Sequence, residues 1–149
     1  MNDILSAITD DSLRRLYLYW DGKRAGRRFP ARRDIDPLDI SYVLGWVLLV
    51  DVLYDPLRFA FRVYGSELAA RVDHDLTGKS ADEHPSPPVR EHIKAAWREV
   101  ITQGKPIHGS YSELRGTEEV RLETLRLPLS SDGTTIDMLL VGIRPIAED

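Results

Sequence analysis

The sequence predicts an α+β fold in which helices separate two groups of antiparallel strands. Three observations lead there. Strand-like runs, alternating or β-branched, occupy Trp46 to Tyr64 and return after residue 107. Apolar residues recur instead at helical spacing over 11–21 and 88–103. Proline and glycine punctuate each change of period. At 149 residues the chain is long enough to bury one core without metals or disulfides.

Each element has a local reason. Leu13, Leu16, Tyr17 and Trp20 form the apolar stripe of the first helix, about 11–21, after Asp10, Asp11 and Ser12, which suit its N-terminus. Gly22 stops it. Gly26 and Pro30 make the following basic stretch a loop, and Asp36-Pro37 opens a short helix to about Leu44. Trp46 to Leu53 and Arg58 to Tyr64 then read as a hairpin about the Asp55-Pro56 turn. In the second strand Phe59, Phe61 and Val63 share one side, and Ala60, Arg62 and Tyr64 the other.

Gly65-Ser66 begins a short helix to about Val72. Residues 73 to 88, polar and containing Gly78 and several prolines, read as loop with slight burial. Ser86, Pro87 and Pro88 start the long helix, 88–103; Val89, Ile93, Ala96, Trp97 and Val100 are its stripe and Gly104 its stop. Three strands follow, about 107–115, 119–129 and 134–144. Their turns fall at Arg115-Gly116-Thr117 and Ser131-Asp132-Gly133.

Composition excludes several kinds of chemistry. Without cysteine there are no disulfides, no thiolate metal site, no cysteine nucleophile and no cofactor joined through sulfur. The N-terminus lacks a basic n-region, and the longest apolar run, Val43 to Val50, ends at Asp51, so neither a signal peptide nor a membrane span is expected. A net charge of −4 opposes general nucleic-acid binding, and a cytoplasmic location is expected. Charge is unevenly placed, however. Lys23, Arg24, Arg27, Arg28, Arg32 and Arg33 carry no acid among them, and Arg27, Arg28, Arg32 and Arg33 make an anion-binding candidate. Asp34, Asp36 and Asp39 follow at once, so the expectation is that these cations tie the N-terminal segment to acids of the same chain.

The element order, with a hairpin, a helical insert ending in a long helix and a meander, is that of the PAS fold. Arg28 to Arg32 with Asp34-Ile35-Asp36-Pro37, the strands Leu48 to Val52 and Arg58 to Gly65, Asp75 to Lys79, and Leu127 to Gly133 resemble a family of short bacterial single-domain PAS-like proteins. The resemblance spans roughly residues 12–144. It implies a five-stranded antiparallel sheet with helices on one face, preceded by an N-terminal amphipathic helix, in which 46–53 pairs with both 58–64 and the last strand. It brings no catalytic residues. The corresponding division is 1–36 for the N-terminal helix and basic loop and 37–149 for the PAS-like domain. Gly65 and Gly78 suit positive φ, and Asp132-Gly133 a tight turn.

Candidate chemistry is sparse. His92 on the long helix borders the space between helix and sheet; the simpler reading is a histidine hydrogen-bonded to the preceding loop. Asp73, His74, Asp75, Asp82, Glu83 and His84 have metal-binding atoms but no regular element to fix them. His108-Gly109-Ser110 lacks the spacing of a nucleophile elbow, and Gly104-Lys105-Pro106 is no phosphate loop. Any ligand pocket would be lined by Phe59, Phe61, Val63, His92, Ile93, Ala96 and Trp97, against the simpler reading of a filled core. No cofactor is expected, and a bound molecule would be small, non-covalent and apolar or aromatic.

The expected role is a non-enzymatic sensory, ligand-binding or protein-interaction module. The chain stops soon after Arg144, so its output is expected to pass in trans to a partner signalling protein. A small pocket enzyme using His92 or Ser110 with a carboxylate is one alternative, and a regulator gripping anions through 23–33 is another. Both faces of 46–53 and 138–143 are apolar, and helices on one side would leave the other face wet. The helix bearing Leu13, Leu16, Tyr17 and Trp20 is expected to cover it, either from its own chain or exchanged with a second one, and a symmetric homodimer with these residues at its interface is the expected outcome.

Overall fold

The structure, a computed structural model, describes residues 3–72 and 75–146. Strands β1 (Val47–Leu53), β2 (Arg58–Tyr64), β3 (Ile107–Arg115), β4 (Glu118–Leu129) and β5 (Met138–Pro145) form one antiparallel sheet in the order β2-β1-β5-β4-β3. As expected, β1 pairs with both β2 and β5. The last strand starts at Met138 rather than 134. Asp132 accepts hydrogen bonds from the Thr134 and Thr135 amides and the Ser130 hydroxyl, which holds the preceding residues in a turn.

One face carries α3 (Ser66–Val72) and α4 (Pro87–Gln103). Ser86 caps α4 by accepting from Val89 N, and Gly104 ends it with φ +64°. Trp97 lies edge-on to Phe59 and Phe61, at centroid distances of 5.6 and 5.9 Å.

The other face is covered by the chain's own N-terminus. After α1 (Asp3–Ala7), Asp10 caps α2 (Asp11–Lys23) by accepting from Leu13 N at 3.0 Å. Leu13, Leu16, Tyr17 and Trp20 are buried within this one chain. A Cβ at Gly142 of β5 would stand 2.6 Å from Leu13 Cδ2, so helix and sheet touch with no layer between them. Trp20 Nε1 donates to Pro128 O at 2.9 Å. The sheet therefore has helices on both faces. The four residues assigned to an oligomer interface are buried within their own chain, one of the two covers expected for that face, and α2 lies over the face that was expected to be wet.

Three local expectations change. The helix expected over 37–44 is a set of 3₁₀ turns, Pro37–Ile40 and Leu44–Trp46, because Val43 N→Ile40 O and Trp46 N→Val43 O are three-residue bonds that turn both Ile40 and Val43 into the core. The segment after Asp75 is not merely surface loop. Phe61 N donates to Lys79 O and Gly78 N to Phe61 O, stitching it along the outer edge of β2 and burying Leu76, Ala81 and His84.

The third change concerns β2. Leu49 pairs with Val63, but the next residue, Val50, pairs with Phe61, so Arg62 is an extra residue in a β-bulge. Beyond it the faces exchange. Tyr64 joins Phe61 on the α4 side, ring to ring at 5.1 Å, whereas Val63 turns to the α2 side. Among the described residues no helix is long and apolar enough to cross a membrane.

Candidate functional site

Where α4 begins, it diverges from β3 and leaves a groove of about 1080 Å³. Its walls are the end of α3 (Arg71, Val72), residues 84–86, the first turns of α4 (Pro88, Val89, His92), and the β3–β4 hairpin from Tyr111 to Val120. Below it a cavity of about 30 Å³, room for roughly one water, reaches Tyr64, Phe61, Ile93 and Leu122. Arg71, His84, Tyr111 and Glu113, together with Val72 and Val89, line both spaces and so stand at the neck.

The neck is polar and tightly held. Arg71 Nη2 lies 3.0 Å from Glu113 Oε1, with side chains only 11% and 16% exposed. His84 Nδ1 accepts from Ser86 N at 3.1 Å, and Arg90 donates twice to His84 O. These bonds fix the start of α4 against the groove. Burial pushes the Tyr64 phenol up to about 12 and raises that of Tyr111 further, so both stay protonated. His84 is held below the usual histidine range by burial, and His92 by burial and then by the Arg126 charge. Both are neutral imidazoles at pH 7.

His92 and Tyr111 stack at 4.5 Å between centroids. His92 Nε2 is sealed from water and has no hydrogen-bond partner among the described residues. The expected bond to the preceding loop is made by His84 instead. A neutral nitrogen buried without a partner costs about 1–3 kcal/mol, which a ligand or water would recover.

The sequence-derived pocket set is thus divided. His92 lines the groove, and Phe61 and Ile93 the small cavity below it. Phe59 and Trp97 interlock in filled core, and Ala96 is buried on the same helix stripe. Val63 is removed by the bulge to a separate cleft of about 350 Å³ beside the 3₁₀ turns, with Ile40, Val47 and Leu49. Sequence reasoning missed Arg71, Tyr111 and Glu113, considered His84 only as a metal ligand, and missed Arg126, which lies beyond the groove against Gly109. For Arg126 a signal exists, a lone cation inside the apolar run Leu125 to Leu129.

The other candidates separate from the groove. His108 Nε2 lies 2.6 Å from Glu123 on the α2 face, where Glu123 also accepts from Thr9 N, Thr9 Oγ1 and Asp10 N. Ser110, paired in register with Glu123, shares that face and not the groove's. In the basic segment Arg27 pairs with Asp34 at 2.8 Å and Arg24 with Asp21, while Arg32 donates to Ile35 O and Arg28 to Gly104 O. Arg24 and Arg27 thus pair with acids close by in the chain, whereas Arg28 and Arg32 are held by carbonyls rather than by acids. No such bond holds Arg33 among the described residues. Of the loop candidates, Asp73 and His74 lie outside the described residues; Asp75 caps Thr77, Asp82 pairs with Lys94, and Glu83 accepts from Ser80 N. No metal-binding cluster occurs among the described residues.

A family model described as PAS domain matches residues 8–143. The chain belongs to the PAS domain family. This PAS domain is therefore a member of a family of sensory and ligand-binding modules, and its groove lies between helices and sheet. No curated protein matches it. Among solved structures, a sensory box sensor histidine kinase from Vibrio cholerae is 18% identical with a TM-score of 0.53, over 75% of this chain and 92% of that one. The VqmA dimer of Vibrio cholerae in the absence of target DNA is 14% identical with a TM-score of 0.57, over 76% of this chain and 52% of that one. VqmA bound to DPO gives 14% and 0.55, over 76% and 60%. At these identities the likeness is one of fold.

Proposed function

We propose that this PAS domain is a non-enzymatic sensor that binds a small molecule non-covalently in the groove between α4 and β3 and acts in trans on a partner protein. The observation that carries the reading is His92 Nε2, buried and unpartnered at the wall of a groove large enough for a metabolite. The ion pair and phenols at the neck add specific polar contacts to apolar walls. Fold neighbours include VqmA, a receptor seen bound to DPO, and a sensor histidine kinase. The enzymatic alternative fares worse. His92 and Ser110 lie on opposite faces of the sheet, and His108 is already engaged by Glu123.

Native mass spectrometry of the full chain, before and after unfolding and desalting, tests the reading alongside a metabolite panel read by melting temperature. A releasable small-molecule adduct, or a panel member whose stabilising effect is lost in Tyr111→Ala, is expected. A bare sequence mass together with no stabilising compound would overturn it.

A further inference from the structure

The groove ends at the stack of His92 on Tyr111: along α4 its lining stops at His92, and along the α4 face of β3 it stops at Tyr111. Two residues further along β3 is Gly109, and the Arg126 guanidinium lies over it. A Cβ at position 109 would stand 3.4 and 3.5 Å from Arg126 Nη1 and Nη2, ordinary van der Waals contact, so the guanidinium lies directly against this strand position.

Arg126 is only 5% exposed, yet it makes no hydrogen bond and no ion pair among the described residues. The acid whose field it feels is Glu99, exposed on α4 and not in contact. Its nitrogens keep some contact with water, since only His92 Nε2 is both sealed and unpartnered. A nearly buried guanidinium without a counter-charge is a cost to the folded state that an apolar residue of similar length would not incur. The neutral groups nearby, His92 and the Tyr111 phenol, supply hydrogen-bond donors and no compensating charge. The Arg71–Glu113 pair at the neck is already neutral as a unit.

We infer that the groove takes an organic monoanion, a small carboxylic acid whose apolar body lies along Val89 and Tyr111 and whose carboxylate parts the His92–Tyr111 stack to reach Arg126. This rests on the groove being the ligand site. One negative charge matches Arg126, a nearly buried cation without an ion pair among the described residues, and the guanidinium fork fits a planar carboxylate. The His92 imidazole gains its missing partner in the same step.

Titration calorimetry and melting of the full-length protein with benzoate, phenylacetate and hexanoate, each against its amide, test the inference. At least one acid should bind about tenfold or more tightly than its amide. Arg126→Met should abolish that preference while leaving the ligand-free melting temperature unchanged or raised, and Arg126→Lys should retain part of it. Acid and amide binding equally well, or no binding by either set, would overturn the monoanion; the groove as the site falls only if the native mass is bare and the metabolite panel also yields no stabilising compound. A ligand-free Arg126→Met protein that melts well below wild type would give the guanidinium a structural role and overturn the inference.

Discussion

A Cβ at Gly65 would stand 2.3 Å from Gly45 O and 2.8 Å from Val47 O, and backbone atoms cannot swing aside as a side chain does. Gly65→Ala should therefore destabilise by about 2–3 kcal/mol in urea unfolding, near the upper range for overpacking; a change below a few tenths would show that the turn relaxes freely. Of the two glycines expected to need positive φ, Gly78 has it at +84° and Gly65 does not. A close approach between segments twenty residues apart leaves no local trace. Glu123 is a second such case. Burial raises its pKa, but hydrogen bonds from Thr9, His108 and Asp10 outweigh that, so the carboxyl is held below its usual range. Its stabilising effect is then present above about pH 4.3 and fades as pH falls through the lower folded-state pKa. Glu123→Gln should cost on the order of 2–3 kcal/mol at pH 7, because the replacement breaks charge-assisted bonds to a buried group. The difference from wild type should shrink toward pH 3, and a pH-independent difference would contradict the mechanism.

Elements with strong local signals were legible: Ser86, the α4 stripe and Gly104 bounded that helix to within a residue. What periodicity cannot show is an interruption of itself. One extra residue at Arg62 moved Val63 out of the groove side and Tyr64 in. The α2 stripe announced a buried face but not which chain buries it, since an apolar face has the same pattern in either case. In the groove, His92 was legible as bordering helix and sheet, whereas Arg71, Tyr111 and Glu113 become a site only through strand pairing across β3 and β4 and the docking of α3. Deleting residues 1–23 should expose the β4 and β5 face that α2 covers. Such a chain should bind a hydrophobic dye and associate with rising concentration, whereas a monomeric, dye-free truncated protein would show that α2 adds little to the fold.

At the scale of the whole molecule, acid should act in two stages. His84 and His92 have lowered pKa values, so the unfolded chain takes up protons near pH 6.5 before the folded one does. Their stabilising effect is complete above that pH and declines as pH falls below it. Glu123 contributes the second stage, below about pH 4.3, for the reason already given. The first stage originates at the groove, because both imidazoles line it, and the second at the opposite face, where Glu123 holds the start of α2. The two should therefore separate by mutation. Melting temperatures measured from pH 8 to pH 3 should show a shallow decline beginning near pH 6.5 that His84→Gln with His92→Gln removes. The steeper fall near pH 4 should persist in that double variant. If the shallow decline survives both substitutions, protonation at the groove is not its source, and the two faces of the sheet would not respond to acid independently.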